Sequence, residues 1–279
     1  MLTSLDIKTP EYNSRLKLWL SKLMFDSMKV ELRCAGEIKL KHIEYINRSG
    51  KVNFKKIDKE VKAQRNRLLC NKNTTLPKNS GYKRFCSKEF EYRLCTNLAI
   101  SILCRLKSSN LNVGVLDVDA SFTSLLKYLL KYTDSVVVVS GETDIYKEVG
   151  EQLLNELGAP IRISKSLRSL ENCDLIIAPK GLPSNAVIKT DSVVLTTKKP
   201  QKHFDSTVVY DYRIELEEPL SKLCPECLSQ VYFASALYTM CHLYKLGSSV
   251  PTLCITENKV HTPSSLKVLV QNIADKTLT

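Results

Sequence analysis

Asp117 and Asp119 stand two residues apart in the stretch Asp117-Val-Asp-Ala-Ser121. An apolar run, Val113-Gly-Val-Leu116, precedes them. A helical pattern follows from Phe122 to Tyr132, with Phe122, Leu125, Leu126, Leu129 and Leu130 on one face. A turn from strand to helix is a place where backbone N–H groups and the helix dipole hold phosphate. That chemistry needs glycines in the turn, because the backbone must bend sharply and come close to a pyrophosphate. No Gly-x-Gly occurs in the chain, and the nearest glycine, Gly114, lies inside the expected strand. Like charges repel, so Asp117 and Asp119 stand against a doubly negative group at this turn. Two such acids could instead hold Mg²⁺, or serve as turn and capping residues.

Cys224-Pro-Glu-Cys227 is the sharpest local motif. Cys-x-x-Cys is half of a zinc site or a redox pair, and at a helix start the dipole favours thiolate. The other half is missing nearby. Cys241-His242 falls fourteen residues further along the same helical pattern, about 21 Å at the helical rise. Cys34, Cys70, Cys86 or Cys95 could complete a site only through the tertiary fold. No stoichiometric zinc is expected, and Cys224 and Cys227 stand as the candidates for metal. His42, His203, His242 and His261 are scattered and read as surface or satisfied core residues.

Charge is unevenly spread. Residues 1–110 carry 24 Lys and Arg against 10 Asp and Glu, a net +14, while residues 111–279 carry a net −2. The excess includes Lys59, Lys62, Arg65 and Arg67 on a basic helix expected from Ile57 to Leu69, and Lys83 and Arg84 in Tyr82-Lys-Arg-Phe85. Basic and aromatic residues together suit phosphate contact and base stacking. They point to an anionic partner such as nucleic acid, an anionic membrane surface or an acidic protein. An ordinary amphipathic helix and an aromatic-anchored loop account for the same residues, and a lysine-rich surface also serves solubility alone. Lys198-Lys-Pro-Gln-Lys202 reads as a solvated loop.

The elements that position these residues follow from periodicity. After a first helix over Tyr12–Met28 come a strand at Val30–Cys34 and a hairpin pairing His42–Ile46 with Val52–Phe54 through Asn47–Gly50. A loop over Asn71–Gly81 and a long helix near 87–106 follow, with Ser108–Asn110 as the boundary. Then Val113–Leu116, Val136–Val139, Ile161–Ile163 and Asp174–Ala178 read as short buried strands alternating with helices, the second helix running from Asp144 to Leu157 before Gly158. The sheet is expected to continue through Ser192–Leu195 and Val208–Tyr210. A buried helix from Pro225 to Leu246 and a final helix opened by Thr262-Pro263 close the chain. The uncharged run Leu228–Tyr244 contains Ser229, Gln230, Ser235, Thr239 and His242, so it reads as a buried helix rather than a membrane span. The opening residues lack the pattern of a secretory signal, and ten cysteines then read as reduced thiols of a cytoplasmic protein.

Val136-Val-Val-Val-Ser140, the helix ending Glu156-Leu-Gly158, and Leu170-Glu-Asn-Cys-Asp-Leu-Ile-Ile-Ala178 together resemble the shikimate dehydrogenase, methylenetetrahydrofolate dehydrogenase and glutamyl-tRNA reductase group. The resemblance implies a Rossmann-like, doubly wound α/β domain at 111–215. A smaller basic α+β domain at 1–110 precedes it, and C-terminal helices at 216–279 pack back. It places a ligand cleft at Asp117, Asp119, Ala120, Ser121, Ser140, Gly141 and Glu142, with Glu142 positioned to hold a ribose hydroxyl. It implies NAD or NADP as cofactor. The missing glycine loop argues the other way: no cofactor, and a binding or regulatory module that has lost nicotinamide catalysis. An oxidoreductase with an atypical loop, and nucleic-acid binding through the basic N-terminal region, are the alternatives.

Overall fold

The computed structural model describes residues 1–10, 25–106 and 111–276. The helix expected over Tyr12–Met28 lies almost wholly outside these, though Ser27 and Met28 open a strand. The expected boundary at Ser108–Asn110 also lies outside. The described residues fall into two compact units, each assembled from two stretches: Met1–Lys88 with Glu215–Leu246, and Glu89–Ile214 with Gly247–Thr279. Residues 89–106 and 247–276 thus group with the parallel sheet, and 215–246 with the first unit. No helix among the described residues is long and apolar enough to cross a membrane.

The first unit is built on a mixed sheet of four strands. These are β1 (Leu2–Lys8), β2 (Ser27–Ala35), β3 (Ile38–Ile46) and, after helix α1 (Phe54–Val61) and a 3₁₀ turn at Lys62–Arg67, β4 (Leu69–Cys70). The spatial order is β2-β3-β1-β4. β1 runs parallel to both neighbours, Ser4 opposite His42 on one side and Leu69 on the other. The hairpin is β2–β3, not a pairing of His42–Ile46 with Val52–Phe54 as the sequence suggested. Its two-residue turn is Gly36-Glu37, and Gly36 supplies the positive φ of 58° that a hairpin turn with glycine first requires. Asn47–Gly50 leads instead into α1, whose N-cap is Asn53. Asp26 pins that loop, accepting from the backbone N–H groups of Arg48 and Ser49 at 2.8 and 2.9 Å and from the Tyr45 hydroxyl at 2.7 Å.

The basic helix is shorter than its expected Ile57–Leu69 span. Burying Leu68, Leu69 and Cys70 beside β1 draws the chain out of helix. Ile57, Val61, Leu5, Ile43 and Tyr45 form the core under this face. Further on, a short helix α5 (Leu220–Leu223) and α6 (Gln230–Met240) belong to this unit. α6 occupies only the middle of the expected Pro225–Leu246 helix. Its Phe233–Tyr238 run is buried throughout.

The second unit opens with α2 (Glu89–Leu103), followed by β5 (Asn112–Leu116), α3 (Thr123–Leu129), β6 (Ser135–Val139), α4 (Thr143–Leu157), β7 (Arg162–Ser164), β8 (Leu175–Ala178), β9 (Val193–Thr196) and β10 (Thr207–Val209). All six strands are parallel, in the order β10-β9-β8-β5-β6-β7. Counted from β5, that is the 3-2-1-4-5-6 order of the Rossmann fold. The four central apolar strands are buried on both faces, as parallel strands must be when helices cover them. Gly158, at φ 68°, ends α4 in the left-handed conformation. Gly114 has a packing role: a Cβ there would lie 2.7 Å from Leu170 and 2.9 Å from the Cys173 sulfur. The second half of the sheet has no crossover helices. β8 and β9 are covered by α2, and β9 also by α7 (Pro263–Lys276), helices that come from before and after the βαβ run. Three short antiparallel strands, β11 (Asp211–Arg213), β12 (Leu253–Ile255) and β13 (Val260–His261), lie between β10 and α7 in sequence.

Candidate functional site

In the 3-2-1-4-5-6 order, the chain leaves the centre of the sheet in opposite directions from β5 and β8. Ligands of such sheets bind in the crevice outside the carboxyl ends of those two strands. In this chain the crevice is bounded by Asp117–Phe122 after β5, Pro179–Gly181 after β8, and Ser140–Glu142 after β6. The sequence-derived cleft residues are therefore brought to one end of the sheet.

Asp117 is fully buried. Its Oδ2 accepts from the Phe122 backbone N–H at 2.7 Å, at the start of α3, and from the Tyr146 hydroxyl of α4. Burial, then the Asp117 carboxylate, pushes the Tyr146 hydroxyl well above the usual phenol range, so it stays a donor. A carboxylate of the chain thus takes the N–H and helix dipole that a phosphate would take. Asp117 Oδ1 is buried without a partner.

Asp119, which is exposed, pairs with Lys180 from the β8 loop. Lys180 also donates to Ser121 Oγ at 2.7 Å, and Ser121 donates to Asp119 at 2.8 Å. Hydrogen bonding to Lys180, then to Ser121, pulls the Asp119 carboxyl down to about 2. The three groups form a clamp across the crevice mouth, and the cation beside the acids is an ammonium of the chain itself. Lys180 further approaches the Phe122 ring at 5.6 Å.

Ala120 sits at φ 55°. That left-handed conformation costs a residue with a Cβ roughly 1–2 kcal/mol. The bend that glycine makes cheaply is therefore made here without it. Gly141 is required by close approach: its N–H donates to Val118 O at 3.2 Å, and a Cβ would lie 3.0 Å from that oxygen. The turns after β5 and β6 are hydrogen-bonded together. Ser140 Oγ accepts from Glu142 N at 3.1 Å, while the Glu142 side chain is exposed at the N-cap of α4. Sequence reasoning missed Lys180 and Tyr146. The signal for Lys180 was its place two residues beyond the Leu175–Ala178 strand; Tyr146 offered none beyond the apolar face of its helix.

The other candidates fall elsewhere. Cys224 and Cys227 lie in the turn between α5 and α6, not at the start of a helix, so the dipole argument for thiolate fails. Burial raises both thiols to about 11. Among the described residues no group of three or more His, Cys, Asp and Glu side chains is arranged to hold a metal. Lys59, Lys62, Arg65, Arg67 and Lys83 are exposed on the α1 side of the first unit. Arg84 is not free for a partner: its Nε donates to Cys70 O at 2.8 Å and its guanidinium lies 4.1 Å over the Tyr232 ring. His42 is buried and bonded to Ser4 Oγ at 2.9 Å. His242 bonds the Tyr244 hydroxyl at 2.8 Å.

No protein-family model matches the sequence, and the comparison with curated proteins returns no match. Similar solved structures include an archaeal alanine dehydrogenase dimer with bound NAD, at 14% identity over 38% of this chain and 35% of that one, with a TM-score of 0.28. The Thermococcus litoralis Δ1-pyrroline-2-carboxylate reductase in complex with NADH and L-proline matches at 15% identity over 43% and 40%, with a TM-score of 0.30. The L-tryptophan dehydrogenase of Nostoc punctiforme matches at 11% identity over 99% and 81%, with a TM-score of 0.32. The matches to the first two span well under half of those chains. The Rossmann assignment stands on the strand order of the sheet.

Proposed function

We propose that this chain is a dehydrogenase-like Rossmann protein, related to the shikimate dehydrogenase group, that acts as a binding or regulatory module and performs no nicotinamide chemistry. One observation carries the reading: the N–H group and the cation that would meet a pyrophosphate at the switch point are held by the chain's own carboxylates, Asp117 and Asp119. A dinucleotide would have to displace both, and would meet their negative charge. The full-length protein should show no rise in melting temperature with millimolar NAD⁺, NADH, NADP⁺ or NADPH. A ligand at a hundred times its Kd would stabilise the native state by about 2.7 kcal/mol, which such a titration resolves easily. A saturable rise with any of the four establishes the rival reading, an oxidoreductase with an atypical loop.

A second reading, binding of a polyanion such as nucleic acid through the first unit, is favoured by a separate observation. The two acids of α1 are already engaged, Asp58 by the Tyr82 hydroxyl at 2.7 Å and Glu60 by Lys41 at 3.2 Å. Lys59, Lys62, Arg65 and Arg67 make no ion pair among the described residues. Fluorescence anisotropy of the full chain with labelled RNA and DNA should then show binding that weakens steeply with salt. Changing these four residues to Glu should abolish it. Absence of binding at low salt and tens of micromolar protein removes this reading.

A further inference from the structure

A cavity of about 510 Å³ lies in the second unit, outside the β5–β8 crevice. Three segments border it: Lys199–Phe204 from the β9–β10 connection, Ser206–Val208 with Tyr210 along β10, and Thr256–Lys259 with His261 from the β12–β13 hairpin. The volume falls within the roughly 300–1,000 Å³ of small-molecule sites. Of the loop read from sequence as solvated, Lys198–Lys202, residues 199–202 form part of one wall.

Its charge is unbalanced. Of its three lysines, Lys199 is taken by Glu257 at 3.0 Å. Lys202 and Lys259 have no carboxylate within salt-bridge distance among the described residues. His203 lies 3.5 Å from Glu257 and 3.6 Å from Asp205, and His261 lines the wall beside Lys259. The rest of the lining combines apolar and aromatic groups with the uncharged polar residues Gln201, Ser206, Thr207, Thr256 and Asn258. Phe204 and Tyr210 present rings, with Lys202 at 5.0 Å from the first and Lys199 at 5.9 Å from the second, and Leu269 closes one side. Ser206 Oγ, in the wall shared with an adjoining cavity of about 190 Å³, is buried without a hydrogen-bond partner.

We propose that this cavity binds a small phosphomonoester with an aromatic or heteroaromatic ring, its phosphate held by Lys202 and Lys259 and its ring lying against Phe204 and Tyr210. Two unpaired ammonium groups match a dianion, and lysine meets phosphate as a point charge without demanding a planar partner. Arginine, which favours flat bidentate carboxylates, is absent from the lining. The site is separate from the switch-point crevice. Its failure would leave the reading of that crevice untouched, and the reverse also holds.

Phenyl phosphate is the direct probe, titrated calorimetrically into the full-length protein at about pH 8, where the phosphate is a dianion. Inorganic phosphate and phenol are run beside it, and the His261 ring signals are followed by NMR. Phenyl phosphate should saturate and shift His261, inorganic phosphate should bind at least about tenfold more weakly for lack of ring contact, and phenol should not bind. Lys202→Met and Lys259→Met keep the aliphatic stems, and each should weaken phenyl phosphate roughly tenfold or more, the size of one charge-assisted hydrogen bond. Both lysines are exposed, so neither change threatens folding. Absence of saturable binding overturns the proposal. So does equal binding of inorganic and phenyl phosphate, or binding that ignores both substitutions.

Discussion

Tyr146→Phe tests the self-filled helix start most directly. The substitution removes one oxygen from a residue with no exposed surface and leaves the ring in place. Asp117 then keeps a single donor, the Phe122 N–H at 2.7 Å, on a carboxylate that is fully buried and whose other oxygen already lacks a partner. A hydrogen bond to a charged group contributes about 1.5–3 kcal/mol, and no larger cavity is opened, so the expected loss is about 2 kcal/mol. For a unit of this size that corresponds to a fall of roughly 4–8 °C in melting temperature. Urea unfolding followed by circular dichroism, with the two units treated as separate transitions, gives the number. Tyr128→Phe, on an exposed tyrosine, is the control and should stay within about 0.5 kcal/mol of the parent. Adding Asp117→Asn to Tyr146→Phe should cost less than the two single losses together, because the buried charge has gone. A Tyr146→Phe loss no larger than the control's would refute the view that Asp117 is held as an internal anion.

Three further expectations concern the first unit. Burial opposes ionisation of Asp26, but hydrogen bonds from Ser49, Tyr45 and Arg48 together outweigh it and hold the carboxyl at about 2. A carboxyl lowered in the folded state stabilises above its unfolded pKa. The advantage of the parent over Asp26→Asn should therefore be full near neutrality and shrink as pH falls from about 4 to about 2; a pH-independent difference in urea midpoints would count against it. Cys224 and Cys227, with thiols at about 11, should react with iodoacetamide after the exposed Cys34 and Cys86. The protein should also purify without stoichiometric zinc. Mass spectrometry showing the pair labelled first, or one zinc per chain lost on changing both cysteines to serine, contradicts that.

The legible part of the fold is the part held together by near neighbours in sequence. From Asn112 to Ser164 the strands β5, β6 and β7 lie side by side, each joined to the next by a helix, so periodicity sufficed, and the apolar run of β8 was plain on its own. Where the partners are distant it did not. β1 gave no recognisable signal because its neighbours, β3 and β4, come roughly forty and seventy residues later. The hairpin was misplaced by preferring Asn47–Gly50 over Gly36-Glu37. α1 was overextended because the pull of Leu68–Cys70 into the sheet is a tertiary effect that helix propensity does not contain. At the candidate site, the turn Asp117–Ser121 and its missing glycines were readable. Its closure was not, since Tyr146 and Lys180 stand 29 and 61 residues from the acids they satisfy.

The interleaving of the two units has a consequence for biosynthesis. The first unit's chain is not complete until residue 246 has been made, and by then 126 residues of its neighbour, Glu89–Ile214, have already been made. That neighbour in turn waits for α7 to cover β9. Neither unit can therefore finish while the ribosome is still upstream of the other, and β1 must wait for its partners β3 and β4. A nascent chain of this kind carries unpaired strand edges for longer than one whose domains follow in series. No single cut separates the two units: after Lys88 it leaves Glu215–Leu246 on the wrong fragment, after Leu246 it parts Glu89–Ile214 from the rest of the second unit, and after Ile214 it divides both.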